Sequence, residues 1–230
     1  MNLTENRFKL GRNIASELDY AKYSNAIFDL DSTLLNSNIG NLLFYINKQE
    51  KTKFGYYLWV LIISPLVPFL KIIDKVYRPL AQLIVYSMYA KFDHQDIEKY
   101  ANEYVDRNLD NLLIPVTNEF KDNLKINGIS IHIVSTNLHS FVTAVSEKLS
   151  VNGVGISLGK LRRLSFSEKL KYLQNYKSNK MKEFGAFQTI GVGDSIYDKP
   201  IFENTNYSIV VKSKNKKIKF ANLINNYIEK

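Results

Sequence analysis

The sequence predicts an α/β protein in which helices cover a parallel β-sheet and a long helical insertion interrupts it. From residue 119 onward, short apolar segments alternate with helical patterns, which is typical of a parallel sheet covered on both faces. Earlier in the chain, one buried strand at 25–30 is followed by about 80 residues, 36–117, that have a helical pattern and no clear strand. We therefore expect an α/β core formed by 1–35 and 118–230, with 36–117 as an inserted all-helical subdomain that caps it.

The elements of the core follow from local patterns. Residues 1–24 carry dispersed charges and lack an unbroken apolar segment, so we expect a short amphipathic helix there rather than a cleavable signal peptide. After the insertion, the expected strands are 129–134, 154–158, 187–192 and 207–211. The expected helices are 120–126, 140–149, 166–176, a short one near Ile196, and a closing helix at 218–228.

Composition narrows the chemistry. The 230 residues include no cysteine, which excludes a disulfide framework, a thiol nucleophile and a thiolate zinc site, and leaves oxygen or histidine ligands for any metal. The net charge is +9, and residues 160–230 hold 15 basic and 6 acidic side chains, whereas 1–159 hold 16 of each. Such a basic region is either a solvated surface or attracts anions. No nucleic-acid-binding motif accompanies it, so we expect phosphorylated substrates or an anionic membrane surface and no nucleic acid.

Polar residues follow three of the predicted strands, where open parallel sheets bind their ligands. The three segments are Asp29-Leu30-Asp31-Ser32-Thr33, Ser135-Thr136-Asn137 and Gly193-Asp194-Ser195-Ile196-Tyr197-Asp198. Carboxylates two residues apart on extended chain point the same way, and their repulsion is tolerable beside a cation. Asp194 and Asp198 add carboxylates from another strand end. The result is an oxygen-only site suited to Mg²⁺ and phosphate.

These motifs, in this order, resemble those of the haloacid dehalogenase superfamily of phosphotransferases. The first family motif, DxDx[TV], matches residues 29–33, the second matches Ser135, and the fourth, GDxxxD, matches 193–198. The third motif is a lysine at the start of a helix, and its best match is Lys169. The resemblance spans residues 25–200 and implies a Rossmann-like core.

The resemblance also implies roles for individual residues. Asp29 is expected to be the nucleophile that forms an aspartyl phosphate, and Asp31 the acid that protonates the leaving alcohol and then activates water. Mg²⁺ would be held by Asp29, the backbone carbonyl of Asp31 and Asp194, with Asp198 as a further ligand or just behind them. Ser135 and Lys169 are expected to hold the phosphoryl group.

Three points in this assignment stay open. Thr136 could replace Ser135, since both hydroxyls end the same strand. Lys160 is the alternative to Lys169, because the glycine often found three residues before the motif lysine is Phe166 here. Ser32 stands at a position where glycine is common, and it leaves both carboxylates of the first motif intact.

The insertion lies where this superfamily places one kind of cap, which excludes water and selects the substrate. A helical cap here resembles the subfamily of phosphoserine phosphatases and related lipid-phosphate phosphatases. Residues 54–70 carry no charge, but this run contains Pro65 and Pro68 and falls short of the ~20 residues of a straight transmembrane helix. Trp59 and many tyrosines are typical of membrane interfaces. We expect a hydrophobic helical hairpin that enters one leaflet or binds an acyl chain.

The leading prediction is a Mg²⁺-dependent phosphatase acting on a lipid or membrane-linked phosphate. Phosphatidylglycerophosphate is the most concrete candidate, on the resemblance of the hydrophobic cap to bacterial phosphatidylglycerophosphate phosphatases. The expected location is cytoplasmic and peripheral on the inner face of the cytoplasmic membrane. The alternatives are a soluble phosphatase of the phosphoserine type and a non-catalytic interaction module that uses the apolar cap.

Overall fold

The computed structural model describes residues 18–184, 188–212 and 223–229. Their core is a six-stranded parallel sheet with strand order β3-β2-β1-β4-β5-β6. The strands are β1 (Asn25–Phe28), β2 (Ser130–Leu138), β3 (Asn152–Ile156), β4 (Thr189–Gly193), β5 (Tyr207–Lys212) and β6 (Asn226–Glu229). The predicted α/β class, with a parallel sheet flanked by helices, is confirmed.

Nine α-helices occur in the described ranges. Four lie in the insertion: α1 (Ile39–Glu50), α2 (Lys53–Ile63), α3 (Leu66–Tyr89) and α4 (His94–Leu112). The others are α5 (Pro115–Ile126), α6 (His139–Leu149), α7 (Leu158–Arg162), α8 (Phe166–Phe184) and α9 (Lys199–Glu203), with a 3₁₀ turn at Ile196–Asp198 just before α9. The helix predicted at 166–176 is thus real but extends two further turns, which matters for the active site.

The C-terminal segment differs from the prediction. In place of a closing helix, residues 226–229 form β6, which pairs with β5 in parallel register and buries Tyr227 and Ile228. Apolar residues at 224, 227 and 228 also fit the spacing of a helix, so the local pattern does not distinguish a helix from a strand. Pairing with the edge of β5 is what favours the strand. Of the region 1–24, where a helix is predicted, residues 18–24 are described and contain a 3₁₀ turn at Tyr20–Lys22. Residues 1–17 and 218–222 lie outside the described residues.

The insertion leaves the core and returns to it at one point. Backbone hydrogen bonds join Asn36 N to Leu112 O (2.7 Å) and Ile114 N to Leu34 O (2.9 Å). Beyond this junction, α1, α4 and the end of α3 bury residues such as Ile46, Tyr89 and Val105 in the same apolar cluster as the sheet. Helix α2, in contrast, has no buried residue.

Helix α3 changes character at a kink. Tyr77 has non-helical backbone angles (φ −151°, ψ 86°), two residues before Pro79. Proline inside a helix removes one backbone hydrogen bond and clashes with the preceding turn, which accounts for the break. Every buried residue of α3 lies after the kink, in the part that packs on the core, and the part before it is largely exposed.

The uncharged run predicted to be a hairpin forms two successive helices joined at Ser64 and Pro65. Within the described residues, no single helix has the length and apolar composition to cross a membrane. Lys53–Ile63 and Leu66–Tyr89 meet those criteria of length and composition only together, and their axes are bent by 47°. A bend of this size continues the chain in a similar direction, so the segment is a bent pair and not an antiparallel hairpin.

Candidate active site

Adjacent strands bring the first and fourth motifs together. Phe28 at the end of β1 is in register with Val192 on β4, and the next residue, Asp29, donates its backbone N–H to the carbonyl of Val192 at 2.8 Å. One carboxylate oxygen from each of Asp29, Asp194 and Asp198 lies within 4.8 Å of the other two. The structure thus assembles a three-carboxylate cluster at the carboxyl edge of the sheet, as the motifs predicted.

A buried lysine joins two members of this cluster. The ammonium of Lys177 lies 2.5 Å from Oδ1 of Asp29 and 2.5 Å from Oδ1 of Asp198. Three carboxylates and one ammonium have a formal charge of −2, which a divalent cation would neutralise. The cluster consists of oxygen donors alone, and this donor set fits Mg²⁺.

The lysine in contact with the carboxylates is therefore Lys177 and not Lys169. Lys169 lies eight residues earlier on α8, about 12 Å along the helix axis, and is partly exposed. The alternative, Lys160, is exposed, and its ammonium lies 4.7 Å from the ring centroid of Tyr172. The motif predicts a lysine at the start of a helix, whereas the lysine that contacts the carboxylates comes from the middle of one.

A signal for Lys177 was present in the sequence. It shares the buried face of α8 with Leu173, Tyr176 and Met181, which lie four residues before, one before and four after it. A lysine on the apolar stripe of an amphipathic helix must find buried carboxylates, since an unpaired ammonium is very costly to bury. The helix predicted at 166–176 ends one residue before Lys177, so the prediction did not include it.

The Asp198 side chain is held by hydrogen-bond donors from the turn that precedes it. Its Oδ2 accepts hydrogen bonds from the backbone N–H groups of Asp194 (2.9 Å) and Ser195 (3.0 Å) and from the Ser195 hydroxyl (3.1 Å). A Cβ on Gly193 would lie 2.6 Å from Cβ of Asp198, so the close approach requires glycine. The GDxxxD motif is thus a geometric requirement of this loop.

The two carboxylates that share Lys177 have opposite pKa shifts. Burial raises the pKa of Asp29 to about 7, against the attraction of Lys177 and together with repulsion from Asp198 and Asp194. Burial also disfavours ionisation of Asp198, but Lys177 and the Ser195 N–H outweigh it and hold the pKa of Asp198 below its usual value. Asp29 is therefore the carboxylate that most needs an additional cation.

Asp31 is held separately from the cluster. Its Oδ1 accepts from the Ser37 hydroxyl at 2.6 Å and its Oδ2 from the Asn137 amide at 2.9 Å. Burial raises the pKa of Asp31 above its ordinary value, although both hydrogen bonds oppose the rise. A carboxyl group in this state is suited to donate a proton. Sequence reasoning did not identify Ser37 or Asn137 as partners, because they meet Asp31 only in the folded chain.

The turn of the first motif is unusual at Ser32, which has φ 64°. This left-handed region favours glycine, which agrees with glycine being common at the position. Ser32 N donates to the carbonyl of Leu35 at 2.7 Å, and the Thr33 hydroxyl donates to Oδ2 of Asp29 at 3.3 Å. The motif threonine thus orients the carboxylate that precedes it by four residues.

The two hydroxyls that end β2 have different environments. Ser135 is buried, and its Oγ accepts the backbone N–H of Asn137 at 3.1 Å. Among the described residues, its proton has no acceptor, so it is available to a ligand. The Thr136 hydroxyl instead accepts from the Gln82 amide of the insertion at 2.8 Å. This arrangement favours Ser135 over Thr136 as the ligand-binding hydroxyl.

One side chain of the insertion extends toward the carboxylates and was not anticipated. The Arg78 guanidinium lies 4.4 Å from the ring centroid of Tyr197, in the loop between Asp194 and Asp198. Burial opposes its charge, but the carboxylates of Asp74, Asp29 and Asp198 raise the pKa of Arg78. The kink beside Pro79 directs the chain here, and a lone arginine in a helical segment carries no sequence signal for that.

Comparison with known proteins agrees with this geometry. Residues 26–203 match the family described as haloacid dehalogenase-like hydrolase. Among curated proteins, none matches the chain in sequence.

Several solved structures share the fold. A protein of unknown function from Bordetella pertussis Tohama I is 13% identical, with a TM-score of 0.62 over 90% of this chain and 99% of that one. A phosphoserine phosphohydrolase-like protein from Francisella tularensis subsp. tularensis SCHU S4 is 18% identical, with a TM-score of 0.56 over 89% and 94%. A phospho-aspartyl intermediate analogue of phosphoserine phosphatase is 17% identical, with a TM-score of 0.52 over 91% and 94%.

The resemblance seen in the motifs is thus confirmed at the level of the family. The match covers most of the chain, includes the motifs at 29–33 and 193–198, and accompanies the expected parallel sheet and carboxylate cluster. This chain belongs to the haloacid dehalogenase-like hydrolases.

Proposed function

We propose that this hydrolase is a Mg²⁺-dependent phosphomonoesterase that works through an aspartyl phosphate on Asp29. The observation that carries the proposal is the Lys177 bridge between Asp29 and Asp198 inside a three-carboxylate cluster. A lysine and a divalent cation together would balance both the cluster and a bound phosphoryl group. The fold shared with a phospho-aspartyl intermediate analogue of phosphoserine phosphatase also supports it.

In the first step, a carboxylate oxygen of Asp29 attacks phosphorus, and the bond from phosphorus to the ester oxygen breaks. Asp31, whose pKa burial raises above its ordinary value, donates a proton to the leaving alkoxide. In the second step, Asp31 takes a proton from water as the water oxygen attacks phosphorus. The bond to Asp29 breaks, which releases inorganic phosphate and restores both carboxyl groups.

The remaining groups position the phosphoryl oxygens. The Ser135 hydroxyl and the Lys177 ammonium would donate hydrogen bonds to them, so Lys177 takes the role first assigned to Lys169. Asp29, Asp194 and Asp198 would hold Mg²⁺, with the backbone carbonyl of Asp31 as a further ligand. When bound, Mg²⁺ neutralises phosphoryl charge and orients the phosphoryl group for in-line attack.

For the substrate, we propose a phosphomonoester whose alcohol is lipidic or membrane-linked, with phosphatidylglycerophosphate as the first candidate to test. The exposed apolar residues of α2 and of the first half of α3 support this choice, since they belong to the segment that covers substrates in this family. The competing candidate is a soluble phosphomonoester such as phosphoserine. The folds of the phosphoserine phosphatase structures favour it.

Removal of metal is expected to abolish turnover. Hydrolysis of a soluble chromogenic phosphomonoester should fall to background in EDTA and return with excess Mg²⁺, because the −2 cluster would repel a phosphate dianion without the cation. Ca²⁺ at the same concentration serves as control and should restore little activity, since it favours longer and more numerous ligand contacts. Full activity after exhaustive chelation would contradict the proposal.

Mg²⁺ binding should depend on pH through Asp29. The folded pKa of about 7 exceeds the ordinary value of 3.8, so ionisation of Asp29 destabilises the metal-free protein as pH rises toward and through 7. A cation must displace this proton at lower pH. Apparent Mg²⁺ affinity, measured from thermal shifts, is therefore expected to be about tenfold weaker at pH 6 than at pH 8. A pH-independent affinity would exclude Asp29 as a ligand with this pKa.

A substrate panel distinguishes the two candidates. We expect kcat/KM for phosphatidylglycerophosphate in mixed micelles to exceed that for phosphoserine by at least about 100-fold, since buried apolar contacts along an acyl chain add binding energy. The control substrate is glycerol 3-phosphate, which offers a phosphomonoester and hydroxyl groups without acyl chains. Equal or greater kcat/KM for phosphoserine would overturn the lipid assignment and leave the phosphatase intact.

A further inference from the structure

The largest feature outside the active site is a set of exposed apolar side chains on α2 and the first half of α3. We call it the exposed apolar face and define it by six residues: Phe54, Leu61, Ile62, Phe69, Ile72 and Val76. Each side chain is at least 60% exposed. Single exposed apolar residues are ordinary, but six within 23 residues exceed what a freely dissolved surface normally presents.

The spacing of these residues forms stripes along two short helices. Phe54, Leu61 and Ile62 lie seven and eight residues apart on α2, and Phe69, Ile72 and Val76 lie three and four apart on α3. Neither helix alone has both the length and the apolar composition to cross a bilayer, and their 47° bend interrupts a continuous span. Short amphipathic helices of this kind lie in the plane of a membrane surface.

The charge beside the apolar stripes indicates which kind of surface the exposed apolar face would contact. Residues 51–75 contain four basic side chains, Lys51, Lys53, Lys71 and Lys75, and one acidic side chain, Asp74. The net charge of +3 lies beside the apolar stripes, whereas a protein interface of comparable composition would be depleted of lysine. Apolar side chains bordered by lysines complement a bilayer that contains anionic lipid.

The exposed apolar face is physically connected to the candidate active site. The Tyr197 hydroxyl, in the loop that carries Asp194 and Asp198, donates to the backbone carbonyl of Asp74 on α3 at 2.9 Å. Arg78, one turn further on, covers the Tyr197 ring. Asp74 lies between Ile72 and Val76, so the apolar stripe of α3 ends within about one turn of residues that contact the catalytic loop.

We propose that the exposed apolar face docks on an anionic bilayer by inserting into one leaflet, with the active site held at the level of the headgroups. This inference deepens the proposed function and rests on it only for the identity of the substrate. The docking itself depends on surface apolarity and charge, and it requires no turnover.

The test is flotation of the full chain with vesicles of phosphatidylcholine and phosphatidylglycerol (7:3), compared with pure phosphatidylcholine. Most of the protein should float with anionic vesicles, and at least tenfold less with neutral ones. Trp59 is the single tryptophan of the chain and is partly buried on α2, with its ring 5.1 Å from that of Phe44, so a shift in its emission reports a change around α2 on binding. Absence of both flotation and shift would overturn the proposal.

Two variants make the test specific. Leu61→Glu with Phe69→Glu should reduce vesicle binding at least tenfold. The matched control is Ile126→Glu with Phe166→Glu, which alters two comparably exposed apolar residues (82% and 63%) on other helices and should bind like the wild type. Circular dichroism verifies folding of both. Equal loss of vesicle binding in the two double variants would show that binding depends on exposed apolar residues in general. It would refute the exposed apolar face as the docking site.

Other outcomes separate this inference from the proposed function. If Asp29→Asn binds vesicles normally but lacks turnover, docking and catalysis are both supported as distinct properties. If the wild type hydrolyses the chromogenic ester but never binds vesicles, docking fails alone. A dimer in light scattering that Leu61→Glu with Phe69→Glu disperses, without vesicle binding, would assign the face to a second copy of this chain and overturn the membrane proposal.

Discussion

Replacing Asp29 with asparagine is expected to lower turnover of a soluble chromogenic phosphomonoester by roughly 10⁴-fold or more, because the side chain then has no nucleophilic carboxylate. The fold should persist, since asparagine has the same shape and its amide oxygen can still accept from Lys177. The variant removes a carboxylate whose pKa burial raises to about 7, so its ionisation no longer destabilises the folded state. At pH 8 without metal, Asp29→Asn should therefore melt at or above the wild-type temperature.

This combination of lost activity with retained stability is the informative result. The matched control is Asp110→Asn, an exposed aspartate on α4, which should leave turnover and melting temperature unchanged. Steady-state rates and thermal melts of the three proteins decide the matter. Turnover within tenfold of wild type in Asp29→Asn would exclude an aspartyl phosphate at this position.

The second large effect is expected at Lys177. Lys177→Met keeps much of the side-chain volume but removes the ammonium between Asp29 and Asp198, so two buried carboxylates lose their shared partner. Burial already opposes the charge of Lys177, and the carboxylates of Asp198 and Asp29 raise its pKa above its usual value, which shows how strongly the groups depend on each other. Loss of one partner of a buried pair destabilises by about 3 kcal/mol or more.

Lys177→Met should lower both the melting temperature and turnover. For a chain of this size, about 3 kcal/mol lowers the melting temperature by roughly 6–12 °C, and loss of a phosphoryl-binding cation lowers kcat/KM by roughly 100-fold. Mg²⁺ should restore part of the melting temperature, because it supplies positive charge to the same carboxylates. The matched control, Lys169→Met on the same helix, should change stability by less than about 0.5 kcal/mol. A larger loss of turnover in Lys169→Met than in Lys177→Met would restore the original assignment.

The carboxylate cluster could be anticipated from sequence for a simple topological reason. Polar residues that follow buried parallel strands converge at one edge of the sheet, whatever the length of chain between them. Asp29 and Asp194 are separated by 165 positions in the chain. They nevertheless lie close together, because β1 and β4 are neighbouring parallel strands whose carboxyl ends are at the same level of the sheet. Local motifs at the ends of predicted parallel strands were therefore sufficient for this part of the site.

The position of Lys177, in contrast, could not be predicted from the local pattern. Its position depends on where along α8 the helix passes the sheet edge, and that is set by packing of Leu173 and Met181 rather than by the start of the helix. The secondary structure of the C-terminal segment likewise depends on tertiary contacts. Residues 226–229 form β6 because the β5 edge was available to pair with them, and this information is absent from the local pattern.

Sequence alone was thus enough for the fold class, the family motifs and the pair of carboxylates in DxD, because these depend on short-range periodicity and on residues adjacent to strand ends. Only the tertiary structure could select Lys177 and join Asp31 to Ser37 and Asn137, because these contacts depend on how distant elements pack. It also decided which apolar residues of the insertion are buried and which remain exposed on α2 and α3. Composition gives only the number of apolar side chains, whereas the burial of each one requires a neighbouring surface against which it can pack.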